Sequence, residues 1–139
     1  MRVIATVEAR MAATRLPGKV MRELMGKPVL YRVVERISKA RSVEEVIIAT
    51  SANPADDIIA DYCKANRISY YRGSEDDVLK RVIEAAAQFR GEVIVQLGAD
   101  NPFYDPDIID QLVNIYLKGG FDYVCNDLKP TYPNGVEVH

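Results

Sequence analysis

The chain has 139 residues, 48% of them hydrophobic and 27% charged, with a formal net charge of -2. That size suits one domain with its own core, the slight acidity argues against general nucleic-acid binding, and no apolar run approaches the roughly 20 residues of a membrane span. Glu8 interrupts the N-terminal apolar run too soon for a signal peptide, and Cys63 and Cys125, in no metal-ligand spacing, fit a reduced cytoplasmic chain. In chain order, Val3–Val7 reads as a buried strand, and Ala9–Lys19 forms a loop ahead of a helical stripe of Val29, Leu30, Val33, Val34 and Ile37 after Pro28. Val46–Thr50 is a second strand. Asn53 and Pro54 then supply an N-cap and first helical position, with Ile58, Ile59, Tyr62 and Cys63 as the buried stripe. A cysteine on such a stripe is a core thiol rather than a nucleophile. Ile68–Tyr71 is a third strand, and Ser74 with Asp77 resembles a capping box opening a helix of Val78, Leu79, Val82, Ile83 and Ala86. Val93–Leu97 is a fourth strand. Asp105-Pro106 opens a helix with Ile108, Ile109, Leu112, Val113 and Tyr116 inward, Gly119-Gly120 stops it, and Phe121–Val124 is a fifth strand. No internal repeat, low-complexity tract or interdomain linker interrupts this order.

Strands alternating with helices predict an α/β fold: a Rossmann-like, doubly wound, mainly parallel sheet in three α/β/α layers, joined by right-handed crossovers. In the strand order 3-2-1-4-5 the winding reverses between the first and fourth strands, and ligands bind beyond their carboxyl ends. The Ala9–Lys19 loop flanks that crevice on one side and Gly98-Ala99-Asp100 on the other. Between residues 9 and 22 the chain carries Arg10, Arg15, Lys19 and Arg22 and no acid, a local excess of cations in an acidic chain. Arginine forks and helix N-termini match phosphate oxygens, although the same charges would also suit a solvated loop of any α/β domain. It is not a P-loop, since Ala13 and Val20 stand where glycine and Ser or Thr are needed, and Gly18 alone cannot make a dinucleotide fingerprint. Asp100 faces this loop and is placed either to hold a magnesium ion with phosphate oxygens or to satisfy nearby amides of the Asp100-Asn101-Pro102 turn.

Ala9-Arg10, a few small residues and then Leu16-Pro17-Gly18-Lys19 resemble the signature of the cytidylyltransferases that activate sugars for surface polysaccharides, among them the KDO and acylneuraminate enzymes. Arg10-Met11, Thr14–Lys19, Gly26-Lys27-Pro28, Ser74–Leu79 and Ala99-Asp100 are most similar to the spore coat polysaccharide biosynthesis group. The resemblance spans essentially the whole chain and implies the nucleotide-diphospho-sugar transferase type of fold. Glu8 stands where that family often has glutamine, and Ala13 where serine is common. A glutamine that reads cytosine in several members matches Gly98 here. Gln96, two residues earlier on the same strand face, either reaches the base or is simply a strand residue.

The implied reaction is transfer of CMP from CTP to the hydroxyl of a sugar or sugar acid, with release of pyrophosphate. The resemblance assigns catalytic roles to Arg10, Arg15, Lys19 and Asp100, nucleotide contacts to Ala9, Arg10, Thr14, Arg15, Lys19 and Gly98, and Mg2+ to Asp100. Arg81 either corresponds to an arginine near the base or is a surface arginine. His139 is the only histidine and no base for the reaction. Residues 131–138 look like the family's entry into a sugar-binding half, with Tyr132, Asn134 and Glu137 either remnants of its sugar site or simply residues of a turn and a solvated strand. Residues 1–139 are therefore expected to be one nucleotide-binding domain without that half, binding CTP and dimerising weakly, with the homodimer belonging to a longer form. Two other functions remain open: a catalytically incomplete nucleotide-binding or assembly domain, and a nucleotidyltransferase for another nucleotide and a sugar 1-phosphate.

Overall fold

An unbroken apolar run has to be covered on both faces, and in β1 (Val3–Glu8) every residue from Val3 to Val7 is buried. The structure, a computed structural model, describes residues 1–127 and 136–139. After β1 come the short β2 (Glu23–Leu24) and β3 (Lys27–Pro28), then α1 (Val29–Ile37), β4 (Glu45–Ser51), α2 (Asp57–Ala65) and β5 (Ser69–Gly73). They are followed by α3 (Val78–Gln88), β6 (Val93–Gly98), α4 (Pro106–Leu117), β7 (Val124–Cys125) and β8 (Glu137–Val138). β1 pairs in parallel with both β4 and β6, and β4 in parallel with β5, in the order β5-β4-β1-β6-β8-β7.

The first four long strands thus take the expected 3-2-1-4 order. The expected fifth strand at residues 121–124 is the shorter β7, and it does not adjoin β6. Antiparallel β8 lies between them, pairing Gln96 with Glu137 and Cys125 with Glu137. Two-residue strands carry no periodic signal, so neither their bounds nor this insertion can be read from hydrophobicity.

The pleat of β1 divides the core. Val3, Ala5 and Val7 pack with Leu30 and Val33 of α1, Ile59 and Cys63 of α2, and Ile109 and Val113 of α4. Ile4 points the other way and joins Ile47, Ala49 and the α3 residues Ala85 and Ala86. α3 therefore stands opposite the other three helices, and the even-numbered residues of β1 face it. Its buried face is Arg81, Val82, Ala85 and Ala86, whereas Leu79 and Ile83 are 60% and 53% exposed. The alanines let the helix axis approach the sheet, which turns the two larger side chains outward. Ile58 is likewise exposed, because residues Pro54–Asp56 form a 3-10 turn and α2 begins only at Asp57. The capping of α3 also falls later than expected. Asp77 is the N-cap, accepting from the Lys80 amide at 2.9 Å, while its own amide donates to Ser74 Oγ at 3.1 Å. Cys63 is fully buried, and burial pushes its thiol up to about 12, as suits a core thiol.

One buried carboxylate fastens α4 to the turn between α1 and β4. Asp110 accepts from the Ser42 hydroxyl at 2.5 Å and from the amides of Ser42 and Arg41 at 2.8 and 3.1 Å. Burial raises its carboxyl, but these hydrogen bonds outweigh burial and hold it below the usual carboxylate range. A depressed folded-state value contributes stability that is present above the unfolded value near 4 and is lost as pH falls through the folded one. Asp110→Asn is therefore expected to flatten the acid limb of stability between about pH 5 and pH 2, read from urea denaturation at a series of pH values.

Candidate active site

β1 ends between β4 and β6, with α1, α2 and α4 packed on one face of the sheet and α3, which leads into β6, on the other. The backbone stays paired one residue beyond the strand, with the Ala9 amide donating to Ala49 O at 3.2 Å and the Ala99 amide to Glu8 O at 2.9 Å. There the connections diverge and leave a cleft of about 570 Å³ between the Ala9–Lys19 loop, the start of α3 and the Gly98–Asp100 turn. Ala9, Arg10, Thr14, Arg15, Lys19, Arg81, Gly98 and Asp100, the residues named above for nucleotide and metal, all line it.

The loop is fixed at its base and open at its tip. Asp56, buried at the end of the 3-10 turn, accepts from the Met11 amide at 2.7 Å and from the Ser51 hydroxyl. The Gly18 amide donates to Met11 O at 2.8 Å, closing the loop where Gly18 takes φ 72°, a left-handed conformation that glycine adopts without penalty. Val20 then buries its side chain. Between these anchors Thr14 and Arg15 stand exposed on the rim, and Arg15 has no carboxylate partner among the described residues.

The remaining cations are paired at graded depth. Arg10 reaches Glu75 Oε1 at 2.7 Å and Glu75 O at 3.2 Å, and the second Glu75 oxygen accepts from Asn53 Nδ2 at 2.8 Å. Arg81 is 1% exposed, so it is no surface arginine; its Nη1 donates to Ser74 O at 2.8 Å. Burial pulls its pKa below the ordinary value, opposed by the facing charges of Glu8 and Asp56 and assisted by that of Arg10. The Nε atoms of Arg10 and Arg81 are both buried without a hydrogen-bond partner among the described residues. At the open end, Lys19 Nζ lies 3.4 Å from Asp100 Oδ2, with both side chains substantially exposed. A Cβ at Gly98 would sit 2.8 Å from Asp100 Oδ1, so glycine there lets the carboxylate lie against the strand end. The Tyr104 hydroxyl accepts from the Gly98 amide at 3.0 Å and donates to Gly98 O at 3.2 Å, which fixes that end.

Gln96 is engaged on the strand face: its amide donates to Glu8 Oε1, and its Oε1 lies 2.9 Å from His139 Nε2. Asp56 and Glu75 position the cleft's cations without having been singled out from the sequence. Glu75 lies in the Ser74–Leu79 segment that carries part of the resemblance, whereas Asp56 has no local signal, because its partner Met11 is 45 residues away. Of the expected sugar contacts, Tyr132 and Asn134 lie outside the described residues, and Glu137 sits in β8.

The family model for cytidylyltransferases matches residues 4–136. The chain belongs to the cytidylyltransferase family. It is 34% identical over 125 residues to the spore coat polysaccharide biosynthesis protein SpsF of Bacillus subtilis, covering 87% of this chain and 52% of that protein. To the 3-deoxy-manno-octulosonate cytidylyltransferase of Geobacter metallireducens it is 35% identical over 115 residues, covering 81% of this chain and 44% of that one. Among solved structures, a cytidylyltransferase from Leptospira borgpetersenii superposes with a TM-score of 0.92 at 30% identity, over 99% of this chain and 60% of its own. CMP:2-keto-3-deoxy-manno-octonic acid synthetase, solved in complex with CTP, matches in fold with a TM-score of 0.77 at 21% identity, over 88% of this chain and 51% of its own. The chain spans about half the length of the curated relatives it matches. Within the cytidylyltransferase fold, the cationic loop and Asp100 meet across the cleft, at the reversal of strand order. No helix among the described residues is long and apolar enough to cross a membrane.

Because Asp56 ties the half-buried Met11 amide and the buried Ser51 hydroxyl behind the cleft, truncating it leaves both donors unpaired. Asp56→Ala is expected to lower stability by about 1–3 kcal/mol, measured by urea denaturation.

Proposed function

We propose that the cleft binds CTP and that the chain carries the nucleotide half of a cytidylyl transfer to a sugar or sugar acid, in the cytoplasm, for surface polysaccharide synthesis. The observation that carries the reading is the cationic loop facing Asp100 across a cleft at the carboxyl ends of β1 and β6. The acceptor hydroxyl attacks the α-phosphorus, an oxygen–phosphorus bond forms as the bond to pyrophosphate breaks, and the hydroxyl proton passes to water. Arg15 and Lys19, the accessible cations, hold the phosphate chain, while Arg10, fixed by Glu75, aligns the nucleotide next to them. Aligning the groups and neutralising the charge on the leaving pyrophosphate are the protein's main contributions. Ala9, Thr14 and Gly98 bring backbone and small side chains close to the nucleotide. The acceptor contacts are assigned to Tyr132, Asn134 and Glu137.

Asp100 suits a divalent ion: it is an exposed, hard oxygen donor, and its ion pair with Lys19 at 3.4 Å is of the weak surface kind. Among the described residues no group of three or more ligating side chains gathers, so Mg2+ would rest on this carboxylate, phosphate oxygens and water, its usual surroundings with nucleotides. When bound, it would neutralise and polarise the phosphoryl oxygens. Every other role falls to the chain's own residues.

Calorimetric titration with CTP, UTP, GTP and ATP, each with and without Mg2+, tests the reading. CTP is expected to bind in preference to the others, and Mg2+ to strengthen it. Asp100→Ala should abolish that strengthening yet leave metal-free CTP binding equal or slightly tighter, because it removes a carboxylate that repels the triphosphate. If no nucleotide binds, the loop is not a triphosphate site and an assembly role takes precedence.

A further inference from the structure

The cleft also holds groups that the phosphate reading leaves unused. There, the pleat of β1 turns Glu8 to the same side as Ile4, toward α3, where Arg81 is buried. Glu8 Oε1 accepts from the amide of Gln96, whose own oxygen faces His139, and this chain fixes the carboxylate's orientation. The second carboxylate oxygen has no hydrogen-bond partner among the described residues. Arg81 and Arg10, which line the same cleft, each hold a buried Nε with no partner. Glu8 and the two arginines therefore line one cleft, an oriented acceptor beside two side chains with unsatisfied donors.

Resting on the reading of the cleft as a nucleoside triphosphate site, we infer that Glu8 is the residue that selects cytosine, accepting a hydrogen bond from the 4-amino group while the arginine donors meet the base's acceptor edge. Cytosine presents an amino donor beside two acceptors, N3 and O2, and carboxylates commonly accept from that amino group. Uracil reverses the pattern, with a carbonyl at position 4 and an N–H at position 3. An ionised carboxylate has no proton to donate, so uracil would set oxygen against oxygen at Glu8 and N–H against N–H at the arginine facing position 3. Sites built on buried hydrogen-bonding groups reject a mismatched ligand strongly, because both partners are then left unpaired. Glutamine lacks this one-way character, since its amide can turn to offer either its oxygen or its amino group.

The test compares CTP and UTP affinities, with Mg2+, in the unaltered chain, Glu8→Gln and Glu8→Ala, with thermal melts to establish that each variant is folded. The unaltered chain is expected to prefer CTP. Glu8→Gln keeps the shape and the contact with Gln96 and should reduce the CTP-over-UTP ratio at least about tenfold, chiefly by improving UTP binding. Glu8→Ala should reduce the ratio by weakening CTP. A third arm needs no variant: N4,N4-dimethyl-CTP, which has no amino proton, should bind the unaltered chain at least about tenfold more weakly than CTP. Selective CTP binding whose ratio survives in the folded variants, or equal affinity for the dimethyl analogue, overturns the role of Glu8 and leaves the triphosphate site standing. Absence of binding by either nucleotide to the unaltered chain overturns both.

Discussion

Two guanidinium groups, Arg10 and Arg81, lie behind the loop that follows β1, and they can share that space only because carboxylates face them. Arg81 is almost wholly buried, and its charge is opposed by Glu8 and Asp56. Arg10 is held by Glu75 at 2.7 Å. An unpaired buried charge costs several kcal/mol or more, so the fold has to bring these acids in from three separate segments. The loop's path follows from that requirement: Asp56 also takes the Met11 amide, so the carboxylate that counters Arg81 sets where the loop begins. Charge balance and loop geometry are one constraint.

The same ledger of charges divides the cleft by function. Where the pairing is half-buried and backed by further hydrogen bonds, as with Glu75 between Arg10 and Asn53, the cation is held in place. Where it is exposed, as between Lys19 and Asp100 at 3.4 Å, the pair contributes little to stability and can be exchanged. In the proposed function, an incoming triphosphate would replace Asp100 as the partner of Lys19 and leave that carboxylate to a divalent ion. Arg15, on the rim without a carboxylate partner among the described residues, adds to the attraction without any pair to break. The cleft thus has fixed cations at Arg10 and Arg81 and an exchangeable pair at Lys19, where the proposed phosphate site lies.

What could be read from the sequence follows how local each cause is. The long strands announce themselves as apolar runs, and parallel pairing of β1 with β4 and β6 follows from helical crossovers between them. Asp105 capping α4 and the Gly119-Gly120 stop act within a few residues, so both are legible. The short β7 and β8 are fixed by pairing with each other and with β6, not by any pattern of their own. Leu79 and Ile83 mislead for a related reason: helix periodicity allows two buried faces for α3, and contact of Ala85 and Ala86 with Ile4, Ile47 and Ala49 chooses between them. In the site, the cations sit in one contiguous loop and are visible at once. Asp56 and Glu75 are invisible because their roles depend on partners 45 and 65 residues away.

Gly98 joins these threads. Glycine at this strand end lets Asp100 fold back against it, since a Cβ would come within 2.8 Å of the carboxylate oxygen. A larger residue here would reach into the cleft and compete with Asp100 for the same space. With no side chain at this position, the base recognition proposed for the cleft falls to residues elsewhere around it. The strand that offers it is β1, the direct neighbour of β6, where Glu8 pairs in register with Gly98. An acidic residue at the end of β1 and a glycine at the end of β6 are then two halves of one arrangement: one supplies an oriented acceptor, the other clears the ground for the Asp100 carboxylate. Each departure makes physical sense given the other.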